Sequence, residues 1–141
     1  MKRPFILLSL ALAAIGMNAQ TRLFHTGDHT GYPYRIPAIA TAVNGDVIAL
    51  SDLRPCGGDI GYGRVDIMQR ISADNGATWS DAVTVLQGTG SGPDTGYGDA
   101  CLVADRERNE LLLVCVSGDV PYWNSKIGHT QRMVCTHATY N

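Results

Sequence analysis

The sequence has little that would build a helix and little charge. After residue 20 no stretch repeats its apolar residues at a 3.6-residue period, which argues against helical bundles and α/β layers. Charged residues are 17% of the chain and form no basic cluster, so nucleic acid is excluded as a partner. The four cysteines, Cys56, Cys101, Cys115 and Cys135, make no Cys-x-x-Cys pair and have no metal-ligand spacing. Cys101, Cys115 and Cys135 each fall inside an apolar strand and read as buried thiols, with a Cys101–Cys115 bridge left open. No run beyond residue 20 reaches the ~20 apolar residues of a membrane span. The Gly-rich segment 87–98 leads into a strand and not into a helix N-terminus, so it reads as a connecting loop and not as a phosphate cradle. His25, Asp28 and His29 have metal-ligand chemistry, but Gly27 and the missing helix deny them ligating geometry, so no metal or cofactor is expected.

What is present begins with an address. Lys2-Arg3, an apolar stretch from Phe5 to Ile15 and Met17-Asn18-Ala19 read as a signal peptide over residues 1–19, cleaved before Gln20. The expected location is therefore outside the cytoplasm: periplasm, cell surface or medium. Without Lys2 and Arg3 the 11 basic residues fall to 9 against 13 acidic, a net charge of −4. An anionic substrate would have to be held by local arginines and not by the overall field.

The remaining residues read as short strands. Apolar runs at 38–43 and 47–51 flank Asn44-Gly45, and strands at 64–71 and 82–86 flank Asn75-Gly76; both dipeptides suit tight type I′ turns. That predicts a four-stranded antiparallel meander. Strands at 99–104, 110–116 and 131–137 predict a second unit, and a short strand is expected at 22–25. A shift of 62 residues lays Pro37 onto Asp99 and one unit onto the other. Units of about 60 residues suit propeller blades better than a sandwich, whose turns recur every 8–12 residues. In a propeller the innermost strands start at the same end of the central channel. Arg35 and Asp99, each near such a start, should then approach one another, and Arg54 and Asp59 follow the second strand towards the same mouth.

Two motifs stand out. Tyr34-Arg35-Ile36-Pro37 precedes the first strand, and Ser72-x-Asp74-x-Gly76-x-Thr78-Trp79 occupies the turn between the third and fourth. In this order, 37 residues apart from Arg35 to Ser72, they resemble the Arg-Ile-Pro motif and the Asp box of bacterial exo-α-sialidases (neuraminidases). The resemblance covers residues 32–141. It implies an all-β fold, here the N-terminal portion, about two blades, of a six-bladed β-propeller, with blade 1 over about 36–87 and an incomplete blade 2 over about 98–141. It also implies hydrolysis of terminal sialic acids from glycans with retention, and sialylated glycans as partners.

The resemblance carries over to residues one by one. Arg35, with its planar bidentate fork, matches an arginine of the clamp on the sialic acid carboxylate. Arg54 and Asp99 match residues that bind near the 4-hydroxyl. Asp59, in Cys56-Gly-Gly-Asp-Ile-Gly-Tyr-Gly63, matches the general acid/base. Trp123, with Val116 behind it, either lines an N-acetyl pocket or packs exposed on its own loop. The Asp box is assigned a structural turn with no catalytic part. Two more clamp arginines, a nucleophilic tyrosine and its glutamate partner belong to later blades of the family, so these residues alone are expected to fold poorly and to lack turnover. The alternative is a non-catalytic Asp-box propeller that binds carbohydrate or serves structure. Such a module has no need of Arg35, Arg54, Asp59 and Asp99 together.

Overall fold

The computed structural model describes residues 20–28 and 30–139; the expected signal peptide and His29 lie outside them. Seven strands follow in order: β1 (Tyr34–Thr41), β2 (Val47–Leu53), β3 (Asp66–Ser72), β4 (Val83–Leu86), β5 (Tyr97–Asp105), β6 (Glu110–Ser117) and β7 (Arg132–Thr139). They form two antiparallel sheets, β1-β2-β3-β4 and β5-β6-β7, each a meander. Among the described residues there is no α-helix, only single turns of 3₁₀ helix at Gly92–Asp94 and Tyr122–Asn124. The 22–25 segment is not a strand. Phe24 instead lays its ring 5.2 Å from that of Tyr34 and beneath Arg70 at 5.8 Å, side-chain packing that takes the place of ladder bonds.

Turn chemistry explains the two hairpins and separates them. Asn75 (φ 57°) and Gly76 (φ 91°) are both left-handed, and Ala77 N–H reaches Asp74 C=O, so this turn is type I′ as the sequence predicts. Asn44-Gly45 is different, because only Gly45 (φ 93°) is left-handed. The Asn44 side chain accepts the Asp46 N–H at 3.0 Å and Ala42 N–H bonds Asp46 C=O, which makes a three-residue loop with the glycine last. At the head of the type I′ turn, the Asp74 carboxylate accepts hydrogen bonds from Ser72 Oγ, Thr78 N–H and Thr78 Oγ1. These bonds hold its carboxyl down at about 2, the Thr78 hydroxyl being the chief cause.

The core lies between the sheets. β6 alternates strictly, with Leu111, Leu113, Cys115 and Ser117 buried. That face meets Ile48, Leu50 and Ile67 of the first sheet and Ala100 of β5. Each large apolar side chain so buried contributes about 1.5–3 kcal/mol. β1 and β5 pack against one another, the arrangement of innermost strands in neighbouring propeller blades. Strand alternation also decides the thiols. Cys101 and Cys135 are both in register with Val114 and exposed, whereas Cys115, one position on, is buried; all four cysteines are free. The expectation of three buried thiols fails for Cys101 and Cys135, which sit on the outward face of the second sheet.

The two units repeat with an offset of 63 residues, one more than the sequence suggests. Tyr34 pairs with Leu53 and Tyr97 with Ser117, and the ladders break at Arg35/Ala38 and at Gly98/Cys101. Inside each break one non-glycine residue is left-handed: Ile36 (φ 53°) and Asp99 (φ 54°). Each first strand therefore opens with the same bulge, the device that re-aims side chains at a strand end.

Candidate active site

The site grows from the end of β2. With side chains alternating, Ile48 and Leu50 enter the core, and the same face continues to Asp52 and Arg54. Arg54 is 1% exposed and Asp52 0%. Arg54 Nη2 donates to Asp52 Oδ2 at 2.9 Å, and Nη1 donates to Gly58 C=O at 3.2 Å. Nη1 also lies 3.0 Å from Asp59 Oδ1, and Nη2 lies 3.7 Å from Asp99 Oδ1. One buried guanidinium thus faces three carboxylates. Charges taken out of water persist only with such partners.

Asp59 is placed by its loop. Ile60 is buried to 1% and anchors the segment, and Tyr62 N–H bonds Asp59 C=O to close a turn. Gly61 (φ 91°) rests on the backbone of the second sheet's loop: a Cβ there would lie 2.3 Å from Pro121 N and 2.4 Å from the Val120 carbonyl carbon. Only glycine permits that approach. The Asp59 side chain is 52% exposed. Its contacts with Arg54 and with the Ile60 N–H (2.8 Å) both fall on Oδ1.

Asp99 is 47% exposed beside it. Its N–H donates to Asp52, 3.1 Å from Oδ1 and 3.3 Å from Oδ2. This bond ties the left-handed Asp99 of β5 to the end of β2. Arg35 stands opposite Asp52 in the β1–β2 ladder and is exposed. Its C=O accepts Ser51 Oγ at 2.9 Å, and its guanidinium makes no ion pair among the described residues. The structure therefore brings Arg54, Asp59 and Asp99 into direct contact and sets Arg35 one strand away at the same end. Val116 pairs with Gly98 across the β5–β6 ladder and is half-buried. Trp123 is 83% exposed and meets Tyr122 edge-on at 5.1 Å. Its loop joins the site through the Val120–Pro121 contact with Gly61.

Burial governs the electrostatics. Asp52 is raised to about 6, desolvation outweighing its bonds to Arg54 and to the Asp99 N–H. Cys115, across the sheet interface, is pushed up to about 12, chiefly by burial and further by the Asp52 charge. The arrangement offers a half-exposed carboxylate whose Oδ2 has no partner among the described residues, a second carboxylate able to accept hydrogen bonds from hydroxyls, and an exposed arginine one strand away for an anionic group.

No family profile matches the chain. A sialidase from Micromonospora viridifaciens is 41% identical over 83 residues, 58% of this chain and 13% of that protein. Over those residues the chain is similar in sequence to a bacterial sialidase. Its structure is similar to a sialidase from Streptococcus pneumoniae, with a TM-score of 0.61 and 22% identity over 75% of this chain and 19% of the other. It is also similar to a leech intramolecular trans-sialidase, with a TM-score of 0.65 and 22% identity over 80% of this chain and 20% of the other. These likenesses give the fold, all-β and part of a β-propeller. The chain spans about an eighth of the length of its curated relative.

Two residues of the candidate site escape a sequence reading. Asp52 lies just past the apolar run 47–51, and the signal that could have found it is the alternation that puts it on the face of Ile48 and Leu50. Gly98 reads as one more loop glycine. A Cβ there would lie 2.6 Å from Asp52 Oδ2 and 2.8 Å from Ile60 Cδ1, so the carboxylate occupies the space the missing side chain leaves.

Proposed function

We propose that the protein to which these residues belong is an exported exo-α-sialidase, which hydrolyses terminal sialic acids from glycoconjugates with retention. The observation that carries this reading is the buried Arg54 joined to two half-exposed carboxylates, Asp59 and Asp99, at the strand end that also presents Arg35. A merely structural turn would not build such a cluster, since Arg54 and Asp52 are costly to bury.

In this reading Arg35 takes the substrate carboxylate as a bidentate pair. Asp99 and Arg54 bind near the 4-hydroxyl, and Arg54 also holds both acids at the mouth. Asp59, anchored through Oδ1, uses Oδ2 to protonate the leaving glycosidic oxygen, and the same oxygen later takes the proton of the attacking water. Sialidases place a tyrosine where most glycosidases use a second carboxylate. A neutral nucleophile avoids repulsion by the substrate's own charge. The tyrosine, its glutamate partner and two more clamp arginines complete the site in the reading. Trp123 and Val116 border it on the N-acetyl side. The Ser72–Trp79 turn serves as an Asp box remote from the chemistry, and residues 1–19 as the export signal.

The test is hydrolysis of an α-2,3-sialoside by the intact protein, followed by proton NMR. The expected first product is α-configured sialic acid, which then mutarotates. Absence of turnover, or a β-configured first product, overturns the reading.

A further inference from the structure

The best-built group at the mouth has no part in the chemistry just described. Asp52 is wholly buried, yet both its oxygens are in use: Oδ2 accepts from Arg54, and both accept from the Asp99 N–H. Arg54 in turn holds Asp59 at 3.0 Å, and Asp99 is held in a left-handed conformation (φ 54°) that non-glycine residues adopt only at a cost. Ile60, next to Asp59, shares with Asp52 the gap left by Gly98.

We propose that Asp52 is a positioning residue of this site, fixing through Arg54 and the Asp99 backbone where the two mouth carboxylates stand. The proposal rests on the sialidase reading for what those carboxylates do. A chain of contacts runs from Asp52 to each of them: Asp52 to Arg54 to Asp59, and Asp52 to the Asp99 N–H. It crosses from the first sheet to the second, so the geometry of a site shared between two blades depends on one buried charge. A simple stability role needs only the Asp52–Arg54 pair; the bond to Asp99 and the space kept by Gly98 are extra.

The charged and titratable groups facing Asp52 are Arg54 on its own segment, Asp99 on β5, Cys115 on β6, Asp59 through Arg54 and Arg35 in the opposite ladder position. The Asp52 carboxyl takes up its proton at about 6, and the neutral acid attracts Arg54 less. Acidification through that range should loosen the cluster in the wild-type protein.

Two variants and two readouts test this in the intact protein. Asp52→Asn keeps the shape and removes the charge. Gly98→Ala leaves Asp52 in place and drives a methyl group to within 2.6 Å of its Oδ2. On an unactivated α-sialoside both should lose at least about tenfold in kcat/KM per folded molecule, within the roughly 10²-fold that a 1 Å misplacement can cost. Asp52→Asn should also lose the limb of the pH–kcat/KM profile near pH 6, which a structural role would leave in place. A crystal structure of Asp52→Asn should show Arg54 and Asp59 separated beyond 4 Å. The proposal is overturned by an Asp52→Asn protein with the wild-type profile, or by one whose Arg54, Asp59 and Asp99 have not moved. If the wild-type protein cleaves no sialoside, the functional reading falls, and the variant's structure still decides whether Asp52 positions the cluster.

Discussion

Replacing Gly61 by alanine tests how the Asp59 loop is held. The added Cβ would sit 2.3 Å from Pro121 N and 2.4 Å from the Val120 carbonyl carbon, where ordinary contact begins near 3.4 Å. The loop and the second sheet must therefore part by about 1 Å. Neither neighbour is a flexible side chain, so the strain passes to the shorter, glycine-rich Asp59 loop. Alanine at φ 91° adds about 1 kcal/mol of backbone strain. A 1 Å misplacement of a catalytic group can cost about 10²-fold, and kcat/KM on an unactivated sialoside should fall by roughly that factor. Gly57→Ala is the control: its φ is 71°, but a Cβ there meets nothing within 4 Å, so it carries strain without a clash. It should lose no more than about threefold, since the strain alone is worth about 1 kcal/mol and does not aim at the site. The reasoning is refuted if Gly61→Ala keeps wild-type kcat/KM, or if Gly57→Ala loses as much.

Two further outcomes concern stability. Arg54→Met leaves Asp52 buried without its cation and should cost about 3–5 kcal/mol in urea unfolding at pH 7, less at pH 5 where Asp52 takes up a proton; a cost below about 1 kcal/mol would contradict the buried pair. The pH dependence of unfolding has two arms of opposite sign. Asp52 is raised to about 6 when folded, so the folded state binds the extra proton, and stability should fall by up to ~3 kcal/mol as pH rises from about 4 to about 6. Asp74 is lowered to about 2, so its contribution is present above about pH 4 and is lost as pH falls towards 2. Melting temperature against pH should show both arms in the wild type, and Asp52→Asn should remove only the upper one; an upper arm unchanged in that variant would contradict the assignment.

The strand plan was legible because its causes are local. Alternation in Glu110–Ser117 and paired left-handed residues at Asn75-Gly76 act within a few positions of chain. Asn44-Gly45 misleads because the Asn44 carboxamide bonds Asp46 N–H and leaves the glycine alone at positive φ. The repeat predicts that Arg35 and Asp99 approach one another, with Arg54 and Asp59 at the same mouth; the structure joins Arg54, Asp59 and Asp99 and sets Arg35 opposite Asp52 on the neighbouring strand. Asp52 was hidden because its meaning lies in a backbone N–H 47 residues away on another sheet. The offset of 63 and not 62 was hidden as well, because the bulges at Ile36 and Asp99 carry different residues, and only their backbone angles align them. Trp123 lies exposed in the turn Tyr122–Asn124 within the loop between β6 and β7, where strand alternation does not set the direction of its ring.

The central claim, that Asp59 is the proton donor of a sialoside hydrolase, is tested most directly by the leaving-group dependence of Asp59→Ala in the intact protein. An α-2,3-sialyllactose and an aryl sialoside with an acidic phenol would be compared by kcat/KM. Only the first needs its departing oxygen protonated, and general acid catalysis is worth about 10²–10⁴-fold. The account predicts a loss in that range on the lactoside and a loss smaller by at least tenfold on the aryl sialoside. Equal losses on both would contradict it, and would mean that Asp59 holds Arg54 in place without ever giving up a proton.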